Sequence, residues 1–198
     1  MGAENGLYRS NDAGASWNRV TGAIGGEDVG RLAIGLSADG ARVFIGGQRG
    51  NNVVLQVSDN GGQNWGAPAE TAIPDPNGND LGNPLSYCES QCGYDNVIAV
   101  NPQNSFDFLL GGVGSYRTQD GGQSFLRIGQ NNNPDNGNPG PVHVGHHVIL
   151  HDPNDPQVVY NGNDGGIYRS TNGGTSWTSI GGSLSTLQPY HVSLHPTN

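Results

Sequence analysis

The chain has 198 residues with 34 Gly and 12 Pro, a hydrophobic fraction of 33% and a net charge of −9. All eight cations are Arg, scattered among seventeen carboxylates, so no clustered basic surface exists to displace counterions, and nucleic acid is excluded as a partner. No apolar run approaches the roughly 18 residues of a membrane-spanning helix, and the first five residues show neither the basic nor the apolar region of a signal peptide.

Read in chain order, the apolar residues fall in short alternating runs punctuated by Gly, Asn, Asp and Pro, the mark of many short strands joined by tight turns. Leu7-Tyr8 leads into Ser10-Asn11-Asp12-Ala13-Gly14-Ala15-Ser16-Trp17. Strands are then predicted over Leu32–Ser37, Arg42–Ile45 and Val54-Leu55, ahead of Ser58-Asp59-Asn60-Gly61-Gly62-Gln63-Asn64-Trp65. Next come Ile98–Pro102, Phe106–Leu110 and Tyr116, then Thr118-Gln119-Asp120-Gly121-Gly122-Gln123-Ser124-Phe125. Ile149–Pro153, Gln157–Tyr160 and Ile167-Tyr168 precede Ser170-Thr171-Asn172-Gly173-Gly174-Thr175-Ser176-Trp177, and Val192–Pro196 closes the chain as one more strand. Helical apolar spacing with an N-terminal cap occurs nowhere. The fold class is all-β.

The four octapeptides share the form Ser/Thr-x-Asp/Asn-x-Gly-x-x-aromatic, at intervals of 48, 60 and 52 residues. Asp12, Asn60, Asp120 and Asn172 are placed to accept hydrogen bonds from backbone amides ahead of them. Gly14, Gly62, Gly122 and Gly174 supply positive φ. Trp17, Trp65, Phe125 and Trp177 open the return strand, and each ring is expected to be buried between sheets. Each unit counts four strands in about fifty residues, the dimensions of a β-propeller blade. Such sheets need stacked neighbours to bury both faces.

This repeat resembles the Asp-box, or bacterial neuraminidase repeat, of sialidases, sortilin-type VPS10 propellers and xyloglucanase-like glycoside hydrolases. Residues 160–177, 93–102 and 186–198 are similar to the sortilin and xyloglucanase-like branch in particular. The resemblance implies β-propeller blades, four-stranded antiparallel sheets, across a single domain or segment over residues 1–198. Gly6–Ser10 matches Gly166–Ser170, the third strand of a blade, and Leu194–Asn198 matches the end of a first strand. Three whole blades plus two partial ones are therefore expected, as a segment of a larger propeller. In the resembling families the octapeptide lies on the outer rim, away from the central pocket.

Propeller pockets form where inner strands and the loops leading into them converge on the axis. The candidates are Glu27 and Asp28, Tyr94 and Asp95, His143, His146 and His147, and Tyr190 and His191. Metal ligation needs three or four convergent side chains, whereas adjacent strand residues such as His146 and His147 point to opposite faces. Histidines hydrogen-bonded across the inner strands are the expected arrangement, and no metal site is assigned. The loops Asp75–Asp80 and Asn131–Asn138 offer oxygen atoms to Ca²⁺ but lack the spacing of an EF-hand loop. No other cofactor is expected.

Cys88 and Cys92 lie in Tyr87-Cys88-Glu89-Ser90-Gln91-Cys92-Gly93. A local disulfide, suited to an oxidising compartment, is the favoured reading, with two reduced thiols as the alternative; a zinc site would need two more ligands.

Glycoside hydrolysis needs two facing carboxylates. Asp28 and Asp95 lie on loops of adjacent blades, but in the xyloglucanase-like enzymes the catalytic pair faces a cleft between two propellers. The sialidase arginine cluster and Phe-Arg-Ile-Pro motif have no counterpart. The leading expectation is an extracellular or cell-surface module that presents loops to a protein or glycan and is non-catalytic as it stands. Part of a xyloglucanase-like glycoside hydrolase is the alternative. A structural segment that packs with other propeller segments or chains is the third reading.

Overall fold

The computed structural model describes residues 5–50, 52–70, 87–89, 91–129 and 142–182. Its strands form four antiparallel sheets. The first is a pair, β1 (Tyr8–Arg9) and β2 (Asn18–Arg19). The second holds β3 (Val29–Leu36), β4 (Val43–Arg49), β5 (Asn52–Ser58) and β6 (Ala69–Glu70) in sequential order. The third holds β7 (Val97–Asn101), β8 (Asn104–Gly111), β9 (Ser115–Thr118) and β10 (Leu126–Ile128). The fourth holds β11 (His146–His151), β12 (Val159–Asn163), β13 (Gly166–Ser170) and β14 (Thr178–Ser179). Three whole blades and one partial blade are thus present, as expected. The second partial blade, at residues 190–198, lies outside the described residues.

The first strands of the whole blades, β3, β7 and β11, lie side by side and form the inner wall. Glycine sets how closely they nest, for a Cβ on Gly35 would sit 2.5 Å from Ile98 Cγ2. The second strands have neighbours on both faces, so Val43-Phe44-Ile45 and Phe108-Leu109-Leu110 read as unbroken apolar runs and are all buried. This is how a strand covered on both sides reads. One cluster, built on Phe44, Leu55, Tyr87, Phe108 and Phe125, joins the second and third blades. Another, around Leu109, Ile128, Val159 and Trp177, joins the third and fourth.

The four octapeptides make equivalent turns. The hydroxyl at the first position accepts the amide of the fifth (Gly14, Gly62, Gly122 and Gly174) at 2.7–3.0 Å. The Asx oxygen at the third position accepts the amide of the seventh at 2.8–2.9 Å. Hydrogen bonds from the hydroxyl and amide of Ser16, and from Ser10, hold the Asp12 carboxyl down at about 2. Positive φ extends to the fourth position as well, at Ala13 (56°), Gly61 (66°), Gly121 (78°) and Gly173 (65°).

The expected burial of the four aromatic rings needs correction. Phe125 and Trp177 are buried, Trp65 is half-buried and Trp17 is 62% exposed. Phe125, Trp177 and Trp65 each pack against the unit that precedes them in the chain. Phe125 and Trp177 meet whole blades. Trp65 joins a cluster to which the segments flanking the two-stranded sheet contribute Leu7, Ala23 and Ile24. Trp17, on that first sheet, has no preceding blade among the described residues.

Candidate functional site at the axial end of the inner strands

In an antiparallel blade the loop entering the first strand and the turn joining the second to the third meet at one end. In the fourth blade His146 pairs with Asn163, which sets the turn Asn163-Asp164-Gly165-Gly166 beside the loop that carries His143. The third blade adds Tyr94 and Asp95 from the segment before β7. Three groups converge there. Tyr94 donates its hydroxyl to Asp164 Oδ1 at 2.9 Å, and His147 Nε2 lies 2.7 Å from the same oxygen. The Tyr94 and His147 rings meet edge-to-face, with centroids 4.7 Å apart. Gly145, at φ +74°, admits the carboxylate, since a Cβ there would lie 2.5 Å from Asp164 Oδ2.

Asp95 is buried beneath this group, and its Oδ1 has no hydrogen-bond partner. Burial pushes its carboxyl up to about 7, and the negative charges of Asp164 and Glu89 add to the rise against the pull of Arg31. Arg31, on β3, donates to the carbonyls of Tyr94 (3.0 Å) and Asn96 (3.4 Å) and so ties the second blade to this loop. Asn96 also accepts the Tyr87 hydroxyl at 2.5 Å. Cys88 and Cys92 are joined as a disulfide, both buried, with Cα atoms 4.9 Å apart. Their loop packs on the same end, because Gly114 N–H donates to Tyr87 O at 2.9 Å.

The two adjacent histidines separate. His146 is buried with Nδ1 3.1 Å from Asn161 Oδ1, and burial lowers its pKa to about 4, which keeps it neutral. His147 alone joins the Tyr94–Asp164 group. His143 is exposed and bonds its neighbour's carbonyl, Val144 O, at 2.9 Å. Asp28 and Glu27 are exposed on the second blade, and no hydrogen bond or ion pair among the described residues joins them to the cluster. Tyr190 and His191, like the loops 75–80 and 131–138, lie outside the described residues. Among the described residues no group of three His, Cys, Asp or Glu side chains is arranged to hold a metal ion.

Asp164 is the residue that the sequence reading missed. Its signal was present, because Asn163-Asp164-Gly165-Gly166 is a tight turn between two strands of a blade whose topology returns it to the axial end. The resulting chemistry is that of a fixed acceptor. Tyr94 and His147 converge on Oδ1, leaving Oδ2 of a quarter-exposed carboxylate to receive a hydroxyl, amide or ammonium donor.

A side-by-side stacking of four-stranded antiparallel sheets around their first strands, with a polar cluster at one end of those strands, is the arrangement of β-propeller blades. The solved structures similar to this chain are β-propellers as well. The GH74 xyloglucanase of Xanthomonas campestris matches over 94% of this chain and 29% of its own, with 21% identity and a TM-score of 0.62. The Niastella koreensis GH74 enzyme matches over 89% of this chain and 26% of its own, at 17% identity and a TM-score of 0.60. YCF48 bound to a D1 peptide matches over 77% of this chain and 40% of its own, at 19% identity and a TM-score of 0.51. The chain therefore spans well under half the length of each. No family model matches the chain, and no curated protein matches it as a relative.

Proposed function

We propose that this chain is an extracellular or cell-surface propeller module that binds a glycan or protein ligand at the axial cluster and does not turn it over. The observation that carries the reading is the Asp164 carboxylate, held by Tyr94 and His147 at the converging ends of two blades with one oxygen unused. Sugar hydroxyls and peptide amides are the donors suited to it, and the half-buried Tyr94 ring offers a flat apolar neighbour. The similar solved structures support both ligand classes, one set being xyloglucanases and another a complex with a peptide. Calorimetric titration with xyloglucan oligosaccharides and with a peptide panel tests the reading. Asp164→Asn should weaken binding at least tenfold with the melting temperature unchanged. No binding to either panel, or binding indifferent to this substitution, would refute it.

One observation favours a catalytic reading as the alternative. Asp95 is poised to hold a proton near neutral pH, a property of general acids. Turnover of xyloglucan or another β-glucan that disappears in Asp95→Asn would promote the hydrolase. The buried position of Asp95 argues against it, since no substrate oxygen reaches its carboxyl in this conformation.

A further inference from the structure

The two side chains that converge on Asp164 are both tied to one short segment, the loop closed by Cys88 and Cys92. On one side, the Gln91 carbonyl accepts the amides of Tyr94 at 2.7 Å and Asp95 at 2.9 Å, while Gln91 N–H donates to Cys88 O at 2.7 Å. On the other, Gly114 N–H donates to Tyr87 O at 2.9 Å, and the Gly112 carbonyl accepts the His146 amide at 2.8 Å. His146 opens β11, and His147 follows it. A circuit therefore closes through the loop, the turn at Gly112, His147, Asp164 and Tyr94, and back to the loop.

The loop is closely seated. A Cβ on Gly112 would lie 2.6 Å from both Cys88 Cα and Tyr87 O, so the turn between β8 and β9 presses bare backbone against the loop. Cys88 and Cys92 are fully buried beside Tyr87, in the cluster that joins the second and third blades. The Tyr87 hydroxyl reaches Asn96, whose Nδ2 donates to Arg31 O at 3.2 Å and Gly46 O at 3.1 Å on the second blade. Three blades thus meet on this segment. Gln91 lies inside the ring that the disulfide closes, and that ring limits the directions its carbonyl can take. Opening the ring restores backbone freedom to residues 88–92 and lets go of the Tyr94 and Asp95 amides together.

We propose that the Cys88–Cys92 bond is the positioning element of the axial ligand site, and that the chain acquires the geometry of that site only when this pair is oxidised. The inference deepens the ligand reading above and rests on it for what the site receives. In the step that forms the bond, two thiols and an external disulfide become the Cys88–Cys92 bond and two external thiols. Neither sulfur is exposed in the folded chain, so an external thiolate has no route to the finished bond, which persists as a brace. The octapeptide turns and the strand pairings make no use of the loop. A reduced chain therefore builds its blades and leaves Tyr94 unplaced against Asp164.

The test is amide hydrogen exchange, read by NMR on the full 198-residue chain. It compares the disulfide-bonded parent, the double variant Cys88→Ala with Cys92→Ala, and Gly112→Ala, which retains the bond. A general loss of stability accelerates the amides of β8 and β12 as well, so these serve as the internal reference. In the double variant the Tyr94 and Asp95 amides should gain at least tenfold in exchange rate relative to that reference. The Asp95 carboxyl, at about 7 in the parent, should move back toward its ordinary 3.8 as its cover loosens. Gly112→Ala should accelerate the same two amides with the bond intact, because it unseats the loop. Exchange at Tyr94 and Asp95 that rises no more than the reference in the double variant would overturn the proposal. Where the double variant does not fold, unchanged protection of these amides in Gly112→Ala would overturn it. The exchange readout needs no ligand. A parent that binds neither xyloglucan oligosaccharides nor the peptide panel would therefore refute the ligand reading, and exchange would still decide the role of the loop. With binding present, the double variant should bind at least tenfold more weakly than the parent.

Discussion

Replacing Trp177 by Ala tests the packing logic of the octapeptides most directly. The ring is 6% exposed and packs with Leu109, Ile128 and Val159, so losing it should cost about 3–5 kcal/mol in lost burial and cavity. One term opposes this. Trp177 Nε1 is buried without a hydrogen-bond partner, a penalty of about 1–3 kcal/mol that disappears with the indole. The net expectation is about 2 kcal/mol, measured by urea denaturation with unfolding followed by far-ultraviolet circular dichroism. Trp177→Phe keeps most of the apolar area and removes the unpaired N–H, so it should fall within about 1 kcal/mol of the parent. Trp17→Ala, at the equivalent turn position but exposed, should change the stability of the monomer by less than about 0.5 kcal/mol. Equal losses at Trp17 and Trp177, or a loss below about 1 kcal/mol for Trp177→Ala, would refute the argument that the preceding blade, and not the turn itself, makes the ring matter.

Other expectations rest on electrostatics and cross-links. Asp95 holds its proton in the fold up to about 7, against an ordinary value of 3.8. Its contribution to stability is therefore full below about pH 4 and gone above about pH 7; in Asp95→Asn this fall should be missing from melting temperatures recorded between pH 4 and 8. Asp107 is buried and accepts two bonds from Arg117 at 2.8 and 2.7 Å, so Arg117→Ala should destabilise the chain by about 3–5 kcal/mol in urea. Asp59, which is largely exposed, pairs with Arg42, and Asp59→Ala should cost under about 1 kcal/mol. Intact mass under non-reducing conditions should show the two-hydrogen deficit of the Cys88–Cys92 bond. Reduction should lower stability by about 2 kcal/mol, the loop-closure value for so short a span.

The features legible in the amino-acid order are local. Its four octapeptides specify their own turns, because the Ser or Thr hydroxyl, the Asx side chain and the glycine all act on amides within four residues of themselves. Alternation and punctuation then gave the strands, and their count gave the blades. Three features belonged to the tertiary structure. Trp17 and Trp177 occupy the same place in the same motif, yet one is exposed and one buried, since burial depends on a neighbouring blade and not on the motif. His146 and His147 are adjacent but part company, one to Asn161 across its own sheet and one to Asp164 in the turn that the strand pairing brings back. Asp95 was singled out by its position before an inner strand, whereas its raised pKa comes from being covered and from Asp164 and Glu89, which the fold alone places near it. Turns are set by hydrogen bonds over a few residues, while burial and electrostatics sum over groups far apart in the chain, and only the packing of blade on blade decides which groups those are.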